Sequence, residues 1–75
     1  MSRLPAVAAR EVIRFLNGLG FSQVRQRGSH KFFRHPDGRT ATVVDHRGED
    51  LGRGLLRSIL RDIEVEPETF IAWRA

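Results

Sequence analysis

The stretch Arg25-Gln26-Arg27-Gly28-Ser29-His30-Lys31-Phe32-Phe33-Arg34-His35-Pro36-Asp37-Gly38-Arg39-Thr40-Ala41-Thr42-Val43-Val44 decides the fold. Gly28-Ser29 interrupts a two-residue period, and glycine first in a two-residue loop is the signature of a type II′ hairpin. Pro36-Asp37-Gly38 reads as a type I turn followed by a glycine in the left-handed bulge position of a three-residue loop. Strands are therefore expected over 21–27, 30–35 and 40–44, the last rich in β-branched residues.

The two loop lengths fix a register. The first pairs Arg27 with His30, Arg25 with Phe32 and Gln23 with Arg34. The second pairs Arg34 with Thr40, Phe33 with Ala41, Phe32 with Thr42 and Lys31 with Val43. One face of the meander then carries Val24, Phe33, Ala41 and Val43, with Lys31 and Gln26 towards an end. The other carries Arg25, Arg27, His30, Phe32, Arg34, Thr40 and Thr42. Both loops sort the side chains alike, into an apolar face and a basic one, and a slip of one residue would destroy the sorting.

Helices flank the meander. Pro5 suits a first helical position, and Ala8, Val12, Phe15, Leu16 and Leu19 form one apolar stripe after it. Asn17-Gly18-Leu19-Gly20 ends that helix, with Gly20 suited to the left-handed cap. Residues 45–54 read as a polar loop. A second helix is expected from about Arg53, burying Leu55, Leu56, Ile59, Leu60 and Ile63. Pro67 starts a short last helix anchored by Phe70, Ile71 and Trp73. The expected class is α+β, α-β-β-β-α with a short C-terminal helix, both main helices covering the apolar face of a three-stranded antiparallel sheet.

Seventy-five residues make room for one domain, taken as 1–75, with a thin core. The absence of cysteine excludes disulfides and thiolate zinc sites. Hydrophobic residues at 40% and charged residues at 29% are a globular composition. The early uncharged run 4–9 is far short of the ~18 residues of a membrane span. No apolar segment of a secretory leader follows Arg3, so a cytoplasmic protein is expected.

Charge says more about partners. Thirteen Lys+Arg face nine Asp+Glu, and all but one of the thirteen are arginine. Residues 1–61 carry twelve positive and five negative side chains; residues 62–75 carry four negative and one positive. Arginine grips phosphate in a bidentate fork, so an arginine-dominated body points to a polyphosphate partner, or to the solvated basic surface of a small protein.

His30 is the candidate for chemistry, since histidine titrates near pH ~6.5 and exchanges a proton at neutral pH. RNA brings its own nucleophile, the 2′-hydroxyl. A protein that cuts it need supply only a proton acceptor or donor and a cationic cradle for the developing charge. His30, the surrounding arginines and the N–H groups of Gly28-Ser29 make such a set, with Phe32 able to stack a base. Blander roles are open to the same residues. His30 can be a surface polar group, Gly28 can serve only the turn's positive φ, and Phe32 can pack under the tail helix or a partner. By alternation His35 lies on the apolar face and packs or caps, while His46 sits in a loop. His30 and His35 point to opposite faces, which argues against a shared metal ion, and no cofactor is expected.

Gly28-Ser29-His30-Lys31-Phe32-Phe33-Arg34-His35-Pro36-Asp37-Gly38-Arg39, with Leu55-Leu56-Arg57-Ser58-Ile59-Leu60-Arg61 beyond it, resembles the HicA family. These are small toxins of bacterial and archaeal HicBA toxin–antitoxin modules. The resemblance spans roughly 8–72 and includes the Gly20-Phe21 pair. It implies a fold like a double-stranded-RNA-binding domain and metal-independent endoribonuclease activity on messenger RNA and transfer-messenger RNA. It also implies a catalytic role for the histidine of the Gly-Ser-His turn, here His30, and neutralisation by a HicB antitoxin. The RNA-binding set would be Gly28, Ser29, Arg25, Arg27, Phe32 and Arg34. Gly52-Arg53-Gly54-Leu55 departs from the family's usual Gly-Thr helix start, and the tail with Phe70 and Trp73 is less typical. Two other readings compete with a ribonuclease: a non-catalytic RNA-binding module on the same basic face, and a protein-interaction domain whose arginines meet an acidic partner.

Overall fold

The computed structural model describes residues 4–75. Its elements run β1 (Val7–Ala8), α1 (Ala9–Gly18), β2 (Ser22–Arg27), β3 (His30–Arg34), β4 (Thr40–Val44), β5 (Asp50–Leu51), α2 (Arg53–Asp62) and α3 (Pro67–Arg74). The expected α+β class holds: an antiparallel sheet in the order β2-β3-β4 is covered by helices and followed by a short last helix. Among the described residues no helix is long and apolar enough to cross a membrane.

The β3–β4 register is the one that the loop length dictates, with Lys31 opposite Val43, Phe32 opposite Thr42, Phe33 opposite Ala41 and Arg34 opposite Thr40. Gly38 takes φ 100° in the loop, which closes through His35 N–H to Arg39 O at 2.9 Å. The β2–β3 register starts as expected, Arg27 opposite His30 and Arg25 opposite Phe32, and then departs. A bulge places Gln23 opposite Phe33 and Ser22 opposite Arg34, so Gln23 does not pair with Arg34. Val24 is the extra residue, and it lies 62% exposed instead of on the apolar face. The physical reason is coverage. The long helices pack chiefly over β4, every residue of the edge strand β2 is exposed, and no burial opposes the bulge.

The first helix starts at Ala9, not near Pro5, and Ala8 is its extended N-cap. The preceding segment is drawn into a second, two-stranded sheet, Val7 opposite Leu51 and Ala8 opposite Asp50. The core stripe of α1 is Ala9, Val12, Phe15 and Leu16. Its C-terminus is a Schellman motif: Phe21 N–H donates to Leu16 O at 3.0 Å, Gly20 N–H to Asn17 O at 3.1 Å, and Gly20 takes φ 99°.

Helix α2 begins at Arg53 and buries Leu56, Ile59 and Leu60, with Ile63 buried just beyond its end. Leu55, expected in that stripe, is 39% exposed: it lies at the edge of the face that α2 turns to β4, while Leu56 and Ile59 join Val43 and Ala41 in one core. The chain leaves α2 by the same 6→1 closure as α1, Val65 N–H to Leu60 O at 2.9 Å, but with Glu64 in the left-handed position at φ 59°. Of the expected α3 anchors, Phe70 is fully buried, Ile71 is partly buried and Trp73 is 39% exposed. Phe70 meets Phe15 edge-on at 5.0 Å, and Trp73 lies 5.2 Å from Phe15.

Candidate functional site

The tip of the β2–β3 hairpin is Gly28-Ser29. Gly28 takes φ 58° and Ser29 a negative φ, the pattern expected of a type II′ turn. Nothing lies within 4 Å of a β-carbon built on Gly28, so its requirement is conformational and the space over the tip is open. Two bonds hold the tip: the Gln26 side-chain amide donates to Gly28 O at 3.0 Å, and Asp45 N–H donates to Ser29 O at 2.7 Å. The second ties the turn to the end of β4.

His30 is the first residue after the tip, exposed, with Arg27 across from it on β2 and Val44 on β4. Alternation sets Arg25, Phe32, Thr42, Arg34 and Thr40 on the same face. The guanidinium of Arg25 sits 4.6 Å from the centroid of Phe32, a cation–π contact that covers part of the half-buried ring. By alternation Phe32 lies on the face opposite Phe33, which joins the helix-covered core. From His30 to Arg34 the strip spans about 13 Å of strand. It holds no carboxylate, and Arg25, Arg27 and Arg34 form no ion pair with a described residue. This face concentrates uncompensated positive charge around one imidazole.

The other histidines separate clearly from His30. His35 Nδ1 accepts Asp37 N–H at 3.1 Å, which leaves the proton on Nε2, the atom 3.1 Å from Leu19 O. Its ring meets Phe21 edge-on at 5.0 Å. Both contacts are structural, so His35 packs and caps. His46 is exposed in a turn closed by Glu49 N–H to His46 O at 3.0 Å. Among the described residues no three His, Asp or Glu side chains are grouped to share a metal ion.

Sequence patterning did not single out the Lys31–Asp45 pair. Lys31 Nζ lies 2.7 Å from Asp45 Oδ2, on the side of the hairpin away from His30. A cleft of about 550 Å³ opens beside it, between the start of α1 and residues 45–50. No local signal reveals it, because its walls come from three separated segments.

Fold and face define a class: a small basic α+β domain with one side of its sheet left open. Compared with protein-family models, residues 9–65 match the HicA toxin of bacterial toxin–antitoxin systems. That span is well over half the chain, and the chain belongs to the HicA toxin family. It is thus the toxin of a toxin–antitoxin module, with a cognate antitoxin as its partner. A search of curated proteins returned no match. The match leaves out β1 and α3.

Proposed function

We propose that this toxin is an endoribonuclease that cuts messenger RNA with His30, without a metal ion, in the cytoplasm, and that a HicB-like antitoxin blocks it. The observation that carries the reading is the acid-free sheet face with His30 at its end, beside Arg27 and an unobstructed hairpin tip. In the reaction a ribose O2′ attacks the adjacent phosphorus and the P–O5′ bond breaks, leaving a 2′,3′-cyclic phosphate and a 5′-hydroxyl. His30 makes one of the two proton transfers, taking the proton from the 2′-hydroxyl or delivering one to O5′, and water makes the other. Arg25, Arg27 and Arg34 hold the phosphates and offset the charge gained at the reacting one. The uncovered part of Phe32 stacks a base. Gly28 and Ser29 shape the turn.

Induced expression of the native protein and of His30→Ala in a bacterial host tests this. Growth arrest with fragmented messenger RNA is expected from the native protein alone. With purified protein, His30→Ala should lower the cleavage rate about 100- to 10,000-fold. Its stability should stay within about 0.5 kcal/mol, since the position is exposed. Cleavage should persist in chelator. Intact RNA with folded native protein, or cleavage abolished by chelator, overturns the reading.

A further inference from the structure

The cleft beyond the hairpin tip is built differently from the sheet face. Its floor is the Lys31–Asp45 pair, whose charges cancel. One wall is the start of α1 with Arg10, and the other is the turn carrying Arg47 and Glu49, followed by Asp50. The far wall is held in place three times: Asp45 N–H on Ser29 O, Glu49 N–H on His46 O, and Asp50 paired with Ala8. None of Arg10, Arg47, Glu49 and Asp50 forms an ion pair with a described residue. The cleft is therefore lined by two arginines and two acidic residues that form no ion pair with a described residue.

With as many carboxylates as cations, such a mixture gives a phosphate no net attraction. A nucleobase fits it, because a base edge presents donors and acceptors side by side. Arginine donates to ring nitrogen and carbonyl acceptors, and carboxylate accepts from an exocyclic amine. The volume lies in the range of ligand sites and suits a base with its ribose. Position completes the case. The Gln26–Lys31 rung that borders the cleft is the next rung after Arg27–His30, on the opposite face. An RNA strand leaving His30 reaches the cleft by rounding Gly28-Ser29, where no bulky side chain stands in the way.

We infer that this cleft receives the base of a nucleotide flanking the cleaved bond, and that Glu49 and Asp50 select bases bearing an exocyclic amine over uracil. The inference rests on the ribonuclease reading for its substrate, but its test does not depend on cleavage. Binding of short homopolymers of adenosine, cytidine and uridine is measured with the full-length His30→Ala protein, with and without Glu49→Gln and Asp50→Asn. Affinity for the better of the adenosine and cytidine polymers should exceed that for uridine by about tenfold, and the two isosteric changes should bring the ratio below about threefold. Equal affinities at the start, or a preference that survives both changes, overturns the inference and leaves the ribonuclease reading standing. Failure of the native protein to cut RNA overturns that reading while the affinities still decide this one. Loss of antitoxin binding with the base preference intact assigns the cleft to the protein partner and overturns the inference.

Discussion

Gly20 and His35 are in steric register: a β-carbon built on Gly20 would lie 3.1 Å from His35 Nε2, the atom that donates to Leu19 O. The chain needs glycine here twice over, because the Schellman closure of α1 also demands φ 99°. Gly20→Ala should cost about 2–3 kcal/mol, from left-handed strain of roughly 1–2 kcal/mol and a disturbed hydrogen bond of about 1 kcal/mol. Urea unfolding measures the loss, and a double-mutant cycle separates its parts. In a His35→Ala background the same substitution should cost less, since only the strain remains. Equal costs in the two backgrounds would show that the ring does not feel the new methyl.

Glu64 occupies the position after α2 that Gly20 occupies after α1, with φ 59° and no glycine to relieve it. The site is otherwise well made, for Arg39 Nη1 reaches Ile63 O at 2.5 Å and caps the helix with a positive charge. Glu64→Gly removes left-handed strain of roughly 1–2 kcal/mol and adds unfolded-state entropy costing roughly 0.5–1 kcal/mol. A net stabilisation of about 0.5–1 kcal/mol is expected, read as a higher urea midpoint at unchanged slope. A midpoint that stays put or falls would sink the strain assignment.

These two caps differ in how far they could be read from residues. Gly20 announces its cap; Glu64 does not, since only tertiary packing forces a glutamate into that conformation. The β3–β4 register was fully legible, because loop length and alternation both specify it. The bulge at Val24 was not, because the pattern assumes a covered sheet and β2 is left uncovered. The β1–β5 bridge is too short to carry a period, and it moves the start of α1 from Pro5 to Ala9. The basic face around His30 follows from parity along two strands. The cleft does not, since residues 8–10, 26–31 and 45–50 meet only in three dimensions.

Helix α3 lies outside the family-matched span yet supplies a core residue. Phe70 is fully buried against Phe15, and Arg74 pairs with Glu11 across the same seam. Phe70→Ala should cost about 3–4 kcal/mol, a large part of the roughly 4–11 kcal/mol expected for a domain of this size. Trp73, the chain's one tryptophan, stacks on Phe70 at 5.8 Å and reports on α3 directly. Its fluorescence and the far-ultraviolet circular dichroism should give one midpoint in urea. Separate transitions would make α3 an appendage and not part of the cooperative unit.

Asp37 links the stability of the fold to acid pH. Its carboxylate accepts Arg39 N–H at 3.0 Å, and Arg39 Nε lies 2.7 Å from its other oxygen. The backbone N–H of Arg39 is the main cause that holds the carboxyl below its ordinary value of 3.8, with the Arg39 guanidinium and His35 adding to it. A lowered native pKa means that the unfolded chain takes up its proton first as pH falls. The contribution is complete above about pH 4 and fades as pH drops from the ordinary value through the lowered one. Asp37→Asn should therefore lower stability at neutral pH and flatten the loss between about pH 4 and pH 2, leaving the two proteins closer together at the acid end. Urea midpoints taken across that range decide it: curves that run parallel down to pH 2 would show that Asp37 does not make that link.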